Sequence, residues 1–128
     1  MNYKQPEIKE DLEQTFLFRW AAFASGKYPE LDLMFHIPNG GLRSKSEAGR
    51  LKAQGVKSGV PDICLPVARG GYHGLYIELK KEHSGTVSEN QKIWLSKLTH
   101  QGYYAVVCHG WEKAKETIEE YLNLRKDG

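Results

Sequence analysis

Two short apolar runs joined by a glycine-rich segment place the strongest constraint on how this chain can fold. Residues 63–65 (ICL) and 75–77 (LYI) are β-forming, and the segment between them includes three glycines. This pattern predicts an antiparallel hairpin. In such a pairing Asp62, just before the first strand, lies near the end of the second strand, where Glu78 and Lys80 follow.

The side chains at this end of the hairpin have a defined direction. Side chains alternate between the two faces of a strand, so Glu78 and Lys80 point the same way, roughly 6.5–7 Å apart along the backbone. Ile77 and Leu79 point the other way, towards a core. Two acids and a lysine, with Asp62 as the first acid, are therefore predicted to converge.

This group of side chains suits phosphate chemistry. Two carboxylates with one or two waters can hold a hard divalent cation such as Mg²⁺ or Mn²⁺. The cation polarises a phosphate oxygen and lowers the pKa of water. A lysine beside it can orient or deprotonate that water, or stabilise the charge that develops at phosphorus. On these residues alone, the simpler interpretation of Glu78 and Lys80 is a solvated strand face, so the rest of the chain has to decide.

Pro61-Asp62 followed by Glu78-Leu79-Lys80 resembles the motif of the PD-(D/E)xK nuclease superfamily. The resemblance implies a restriction-endonuclease-like core of α-β-β-β-α-β order, and the periodicities along the chain fit that order. A helix that crosses between the second hairpin strand and the last strand predicts a parallel pair. We therefore expect an α/β fold with a mixed central sheet flanked by helices, in a single domain over residues 1–128 with a core over about 10–122. The predicted elements are a helix over about 8–24, a short strand over 31–37, a helix over about 44–55, the hairpin, a helix over about 88–102, a strand over 103–108 and a helix over about 111–124.

Composition excludes several classes of protein. No apolar run of about 18 residues is present, which excludes a membrane-spanning helix, and the N-terminus lacks the apolar region of a signal sequence. A cytoplasmic location, in a bacterium or a phage-infected host cell, is therefore expected. Cys64 and Cys108 stand in apolar runs without a Cys or His cluster, which favours buried reduced thiols over a zinc site. The net charge of +2 does not by itself require a nucleic-acid partner.

Basic residues are nevertheless concentrated in one segment, which leads directly into the proposed metal site. A single acid, Glu47, stands among them. A role in holding the phosphates of DNA is one interpretation, and an ordinary charged helix face is the other. The basic residues of this segment are Arg43, Lys45, Arg50, Lys52 and Lys57.

More specific motifs surround the acids and the lysine. They are Glu13-Gln14, HIPNGG at 36–41, SGVPD at 58–62, ELK at 78–80, and Gln91 with Trp94, Leu98 and Gly102. Together they resemble the VRR-NUC domain, from about residue 10 to about residue 122. The resemblance implies a metal-dependent nuclease of the stand-alone type found in bacteriophages and bacteria. Such members are similar to Holliday-junction resolvases and act as homodimers. The same domain also occurs at the end of larger Fanconi-associated nucleases.

The resemblance assigns roles to individual residues. Asp62 and Glu78 would be the metal-binding acids, and Lys80 would be the catalytic lysine. Glu13 would be the helix glutamate that completes the site as a metal ligand, with Glu10, one turn earlier, as the second choice. The other interpretation of Glu13 is a glutamate at the solvent boundary of the first helix.

Further residues near the acids are expected to contribute. Gln91 matches the glutamine of the family, whose amide could hold the lysine or a phosphate, or could serve only as the cap partner of Ser88. His36 and Asn39 fit either a contact with DNA or a satisfied polar turn. The backbone carbonyl of Ile63 is expected as an extra metal ligand.

The expected function is hydrolysis of phosphodiester bonds in DNA with Mg²⁺ or Mn²⁺, by one metal ion or by two. The expected substrate is a four-way (Holliday) junction, cut by a homodimer whose two-fold symmetry presents two sites to two strands of like geometry. Two alternatives stay open, namely a flap- or duplex-directed endonuclease of the same fold and a non-catalytic DNA-binding protein with a relic site. The intact set of Asp, Glu and Lys argues against a relic.

Overall fold

The computed structural model describes residues 8–38 and 44–126. Within these residues, helices and strands follow one another in the predicted order. Two of the helices begin at the serines expected to cap them, Ser44 and Ser88, whose hydroxyls accept backbone N–H bonds. The elements are α1 (Glu10–Ala24), a 3₁₀ helix (Pro29–Leu33), β1 (Phe35–His36), α2 (Lys45–Ala53), β2 (Ile63–Leu65), β3 (Leu75–Lys80), α3 (Glu89–His100), β4 (Tyr104–His109) and α4 (Trp111–Leu122).

The four strands form one mixed sheet in the order β1-β2-β3-β4. β2 and β3 make the predicted antiparallel hairpin, with Ile63 opposite Ile77 and Leu65 opposite Leu75. β1 adds to β2 in the antiparallel sense. β4 runs parallel to β3, because α3 carries the chain back to the starting end of the sheet before β4 begins. The α/β fold with a mixed sheet is therefore confirmed.

The apolar core lies between the sheet and the pair of helices α1 and α4, which contact each other and β3. Leu17 of α1, Ile118 of α4, and Ile77 and Leu79 of β3 belong to one buried cluster. The alternation predicted for β3 is thus observed, with its apolar residues inside. Burial of each such side chain stabilises the fold by about 1.5–3 kcal/mol.

Both cysteines are part of the buried interior. Cys64 and Cys108 are free thiols, and burial raises the pKa of each thiol above its ordinary value, so both stay protonated. Among the described residues, no helix combines the length and the apolar character that crossing a membrane requires.

The strand predicted over residues 31–37 is shorter than expected. Pro29 opens a 3₁₀ helix, in which the backbone N–H of Leu31 donates to the carbonyl of Tyr28 at 3.0 Å. Leu31 and Met34 are buried whereas Leu33 is 55% exposed, which is a period of three rather than two. Only Phe35–His36 remains to pair with β2.

The loop that enters β2 packs directly on the N-terminus of α3. Gly59 in this loop has φ +93°, and a Cβ atom placed there would lie 2.7 Å from the backbone carbonyl carbon of Asn90. Only glycine allows both this backbone conformation and this approach. Asp62 follows Gly59 by three residues, and Gln91 follows Asn90 directly. The contact between Gly59 and Asn90 therefore sets the distance between the side chains of Asp62 and Gln91.

We expect Gly59→Ala to lower the free energy of unfolding by about 1–3 kcal/mol, since alanine is strained at positive φ and would also collide with α3. Gly49→Ala is the matched control, because Gly49 lies in α2 with nothing within 4 Å of the added methyl group. That change should raise stability by about 0.5–1 kcal/mol through helix propensity. Urea unfolding of both variants measures the difference, and equal stability of Gly59→Ala and the unmodified protein would contradict the packing described.

Candidate active site

The hairpin brings the two predicted acids and the lysine together at one end of the sheet. The pairing of Ile63 with Ile77 places Asp62 across from Glu78. The backbone N–H of Leu79 donates to Oδ2 of Asp62 at 2.8 Å, and Nζ of Lys80 lies 3.5 Å from Oε2 of Glu78. These residues line one cleft of about 360 Å³. The convergence that strand alternation predicted is therefore what the structure contains.

Gln91 connects this cleft to the first turn of α3. Its Nε2 donates to Oε2 of Glu78 at 3.1 Å. Its Oε1 accepts from the backbone N–H of Ser88 at 2.8 Å, and the hydroxyl of Ser88 accepts from the backbone N–H of Gln91, which completes a capping box. The predicted cap partnership of Gln91 with Ser88 is therefore observed. Its amide holds Glu78 and not the lysine, and a contact with a phosphate stays a prediction.

The backbone of Leu79 lies beside the acids. The carbonyl of Ile63 stays a predicted metal ligand, although Ile63 is buried and is not among the described residues that line the cleft. Leu79 does line it, with its N–H directed at Asp62. The N–H and C=O of one strand residue face the same edge, so the carbonyl of Leu79 is also directed to the side of Asp62. The sequence signal for this was the position of Leu79 between Glu78 and Lys80.

The helix carboxylate in the cleft is Glu10 rather than Glu13. Glu10 lines the cleft, and its Oε1 lies 3.9 Å from Nζ of Lys80. Glu13 is buried elsewhere, where its Oε1 accepts from the backbone N–H of Trp111 at 3.4 Å. α4 begins after Gly110, which has no side chain to cap the helix, so the carboxylate of Glu13 supplies the negative charge that a helix N-terminus favours.

His36 secures the backbone of Asp62. Its Nδ1 lies 2.9 Å from the carbonyl oxygen of Asp62, and the backbone N–H of Ile37 donates to the same oxygen at 2.7 Å. His36 also lines the cleft with its neighbour Pro38. β1, although only two residues long, thereby holds the first acid in place.

The predicted basic segment lies beside the cleft and does not line it. Asn39 and Arg43 fall outside the described residues. The other four side chains, on α2 and in the loop towards β2, are all exposed, and none of them belongs to the residues around the two acids. These four are Lys45, Arg50, Lys52 and Lys57.

The sequence and the fold around this cleft match one known protein family. The sequence model of the VRR-NUC domain family matches residues 5–112. The chain belongs to the VRR-NUC family. A solved structure described as "VRR_NUC domain protein" is 34% identical and superposes with a TM-score of 0.82, over 95% of this chain and 94% of that one. The comparison with curated proteins gives no match. Membership implies a nuclease-type domain that acts on DNA.

The carboxyl group of Glu78 in this VRR-NUC domain resists ionisation. Burial first, and then the charge of Asp62 and the hydrogen bond shared with it, raise the pKa of Glu78 to about 8, against the opposite effect of Lys80. Within the described part of the chain, Oε1 of buried Glu78 has no hydrogen-bond donor. A protonated Glu78 can share its proton with Asp62, but an ionised one leaves that oxygen unsatisfied. A cation between the two acids would replace the proton.

The donor set fits a hard divalent cation. Carboxylate oxygens suit Mg²⁺ and Mn²⁺, whereas zinc favours thiols and imidazoles. No described cysteine lines the cleft, and the imidazole that does, that of His36, has its Nδ1 at the carbonyl oxygen of Asp62. Over the described ranges, no three His, Cys, Asp or Glu side chains surround a common point. The protein would therefore contribute two carboxylates, with the remaining positions left to water, to substrate oxygens and to the carbonyl of Leu79.

The titration of Glu78 gives a testable dependence of stability on pH. In chelator, we expect the free energy of unfolding to fall by a few kcal/mol between about pH 5 and pH 8. The reason is that folded Glu78 keeps its proton up to about pH 8 whereas the unfolded chain releases it near 4.5. Glu78→Gln should remove most of this slope, and Glu120→Gln, at an exposed position of α4, should keep it. Urea unfolding at several pH values checks this, and equal slopes in all three proteins would refute it.

Proposed function

We propose that this domain is a divalent-metal-dependent endonuclease that hydrolyses phosphodiester bonds in DNA, with Mg²⁺ or Mn²⁺ held between Asp62 and Glu78. The observation that carries the proposal is the buried carboxyl group of Glu78, which has one unsatisfied oxygen and lies between half-buried Asp62 and buried Lys80 in a VRR-NUC domain. Burying a carboxylate with one oxygen unsatisfied is costly, so the arrangement favours a ligand that supplies positive charge to that oxygen.

Each acid keeps one oxygen for the cation. Oδ2 of Asp62 is engaged by the N–H of Leu79, and Oε2 of Glu78 is engaged by Gln91 and Lys80. The second oxygen of each carboxylate, with the carbonyl of Leu79, would hold the metal. When bound, a divalent cation supplies polarisation of the phosphodiester and lowers the pKa of water in the cleft.

Lys80 provides the positive charge of the protein itself at this point. Its side chain is 9% exposed, and its ammonium group lies 3.5 Å from Glu78 and 3.9 Å from Glu10, so two carboxylates hold it in the cleft. From there it can donate a hydrogen bond to the attacking water or to a phosphate oxygen, which stabilises the charge that develops during in-line displacement. Glu10 takes the position of the helix carboxylate and orients Lys80.

The proposed substrate is a four-way DNA junction, and the proposed active form is a homodimer. This part of the proposal is supported by the family to which the chain belongs and by symmetry. A two-fold dimer presents two equal clefts to two strands of like geometry, as a junction requires. The exposed lysines and Arg50 of α2 and the following loop would contact the phosphates of the arms.

We expect cleavage of a labelled synthetic junction in Mg²⁺ or Mn²⁺ and none in chelator. Asp62→Ala and Lys80→Ala should each lose cleavage by roughly 100-fold or more while they keep DNA binding, because the first removes a metal ligand and the second a charge at phosphorus. Lys113→Ala, which removes an exposed lysine of α4 paired with Glu116, is the control and should cleave normally. Full activity of both site variants with either metal would overturn the assignment.

The same assay separates the alternatives. Flap and linear duplex DNAs of matched sequence are compared with the junction. Faster cleavage of either one would make that DNA, and not the junction, the substrate. Absence of cleavage together with absence of heat on titration with Mn²⁺ would favour a non-catalytic DNA-binding protein. Sizing chromatography of the protein alone tests the homodimer.

Glu10 and Glu13 can be distinguished by paired substitutions. Glu10→Gln should lower the cleavage rate about tenfold with unfolding unchanged within about 0.5 kcal/mol, since Glu10 is half exposed and contacts Lys80. Glu13→Gln should cost about 0.5–2 kcal/mol in stability, since it removes the charge at the start of α4, and should affect the rate less. Kinetics and urea unfolding of both variants are needed. A larger loss of cleavage rate in Glu13→Gln than in Glu10→Gln would assign the role of the helix carboxylate to Glu13.

A further inference from the structure

Trp94 stands between two clefts that the proposed catalytic step does not use. One cleft, of about 620 Å³, lies between α2 and α3, and the other, of about 550 Å³, lies between the loop after α2 and the residues after β1. Trp94, Val56 and Lys57 line both clefts. The two therefore form one continuous surface, here called the Trp94 groove. Each cleft is within the size range of small-molecule pockets.

The Trp94 groove has an apolar floor and a basic rim. Leu51, Val56 and Trp94 are half-buried, and Ile93 on α3 is 48% exposed. The floor stays open because α2 has no buried residue and does not close down on α3. Along the rim stand Lys52 and Lys57 with the polar side chains of Ser58 and Asn90, and none of the described residues lining the groove is acidic.

The groove adjoins the catalytic cleft. Pro38 lines both the second part of the Trp94 groove and the cleft that contains Asp62 and Glu78. Gln91, which donates to Glu78, precedes Trp94 by three residues and so lies on the same side of α3. A strand whose scissile phosphate sits at Glu78 would place a neighbouring nucleotide over Trp94.

We propose that the Trp94 groove binds an unpaired nucleotide of the DNA substrate, with its base against the indole of Trp94 and its phosphate at Lys52 and Lys57. The ligand class rests on the proposed nuclease function. An aromatic face with adjacent lysines is the combination that binds single strands, and stacking of one base contributes about 1–3 kcal/mol. A paired base has both faces covered by its neighbours, so only an unstacked one can occupy the groove. On the proposed four-way junction, the groove would therefore take a base that is released from pairing at the branch point, beside the bond to be cut.

The test is binding of a short single-stranded oligonucleotide in chelator, compared with a duplex of the same sequence. We expect Trp94→Ala to weaken single-strand binding about tenfold or more with little change for the duplex, and Trp94→Phe to recover most of the loss. Lys57→Ala should also weaken binding and make it less dependent on salt. Phe23→Ala is the matched control, because Phe23 is a 93% exposed aromatic residue on α1, outside the groove.

A spectroscopic measurement distinguishes stacking from a structural role. Trp20 and Trp111 pack against the core, so quenching by the oligonucleotide should come from Trp94 and should be lost in Trp94→Phe. Unchanged quenching in Trp94→Phe, or equal loss of single-strand and duplex binding in Trp94→Ala without recovery in Trp94→Phe, would overturn the proposal. So would a shift from dimer to monomer on sizing of Trp94→Ala, since a second copy of the chain would then fill the groove.

These outcomes are independent of the cleavage assay. Single-strand binding through Trp94 without metal-dependent cleavage would leave the groove in place and remove the nuclease assignment. Metal-dependent cleavage with unchanged single-strand affinity of Trp94→Ala would keep the nuclease and remove the groove as a nucleotide site.

Discussion

The hydrogen bond from the N–H of Leu79 to the carboxylate of Asp62 is the interaction on which the rest of the site depends. It is made across the β2–β3 hairpin, just past the last paired residues, so it ties the first acid to the backbone of the second strand. Because Glu78 precedes Leu79 and Lys80 follows it, one bond fixes the positions of all three charged groups. The apolar alternation of β3 then decides that Glu78 and Lys80 share a face while Ile77 and Leu79 fill the core.

Two neighbouring segments keep this arrangement from relaxing. An unpaired carboxylate below the surface would either move to solvent or keep a proton. Gln91 prevents movement, because its amide is itself held by the cap of α3 and cannot follow Glu78 outwards without breaking the first turn of the helix. Gly59 keeps α3 close, and His36 holds the carbonyl of Asp62. Glu78 can therefore either keep its proton or accept a cation, and its raised pKa has this cause.

The parts of this site that the sequence predicted are those that depend on local rules. Strand alternation and the glycine-rich turn were enough to bring Asp62 to Glu78 and Lys80, and the pattern Ser88 to Gln91 was enough to start α3. The choice between Glu10 and Glu13 was not local. The two lie one turn apart on the same side of α1, and the deciding fact is where the uncapped N-terminus of α4 comes to rest.

Two further features were also beyond local rules. Which backbone carbonyl faces the acids, that of Ile63 or that of Leu79, follows from strand register, which a sequence pattern leaves open by one residue. The 3₁₀ helix before β1 was not predicted for a related reason. Over only five residues, apolar residues spaced by three cannot be distinguished from apolar residues spaced by two. Trp94 carries the usual pattern of a buried helix face, and only the open position of α2 makes it accessible.

The acidic lining of the cleft bears on where DNA would bind under the proposed function. Glu10, Asp11, Asp62 and Glu78 line the cleft with Lys80 as its lysine, so without a cation it repels a polyanion. The attraction has to come from elsewhere, and the exposed basic side chains lie on α2 and the loop that follows it. Under the proposed function, binding of the strand at α2 and admission of its phosphate to the cleft would be separate events, and only the second would require the divalent cation.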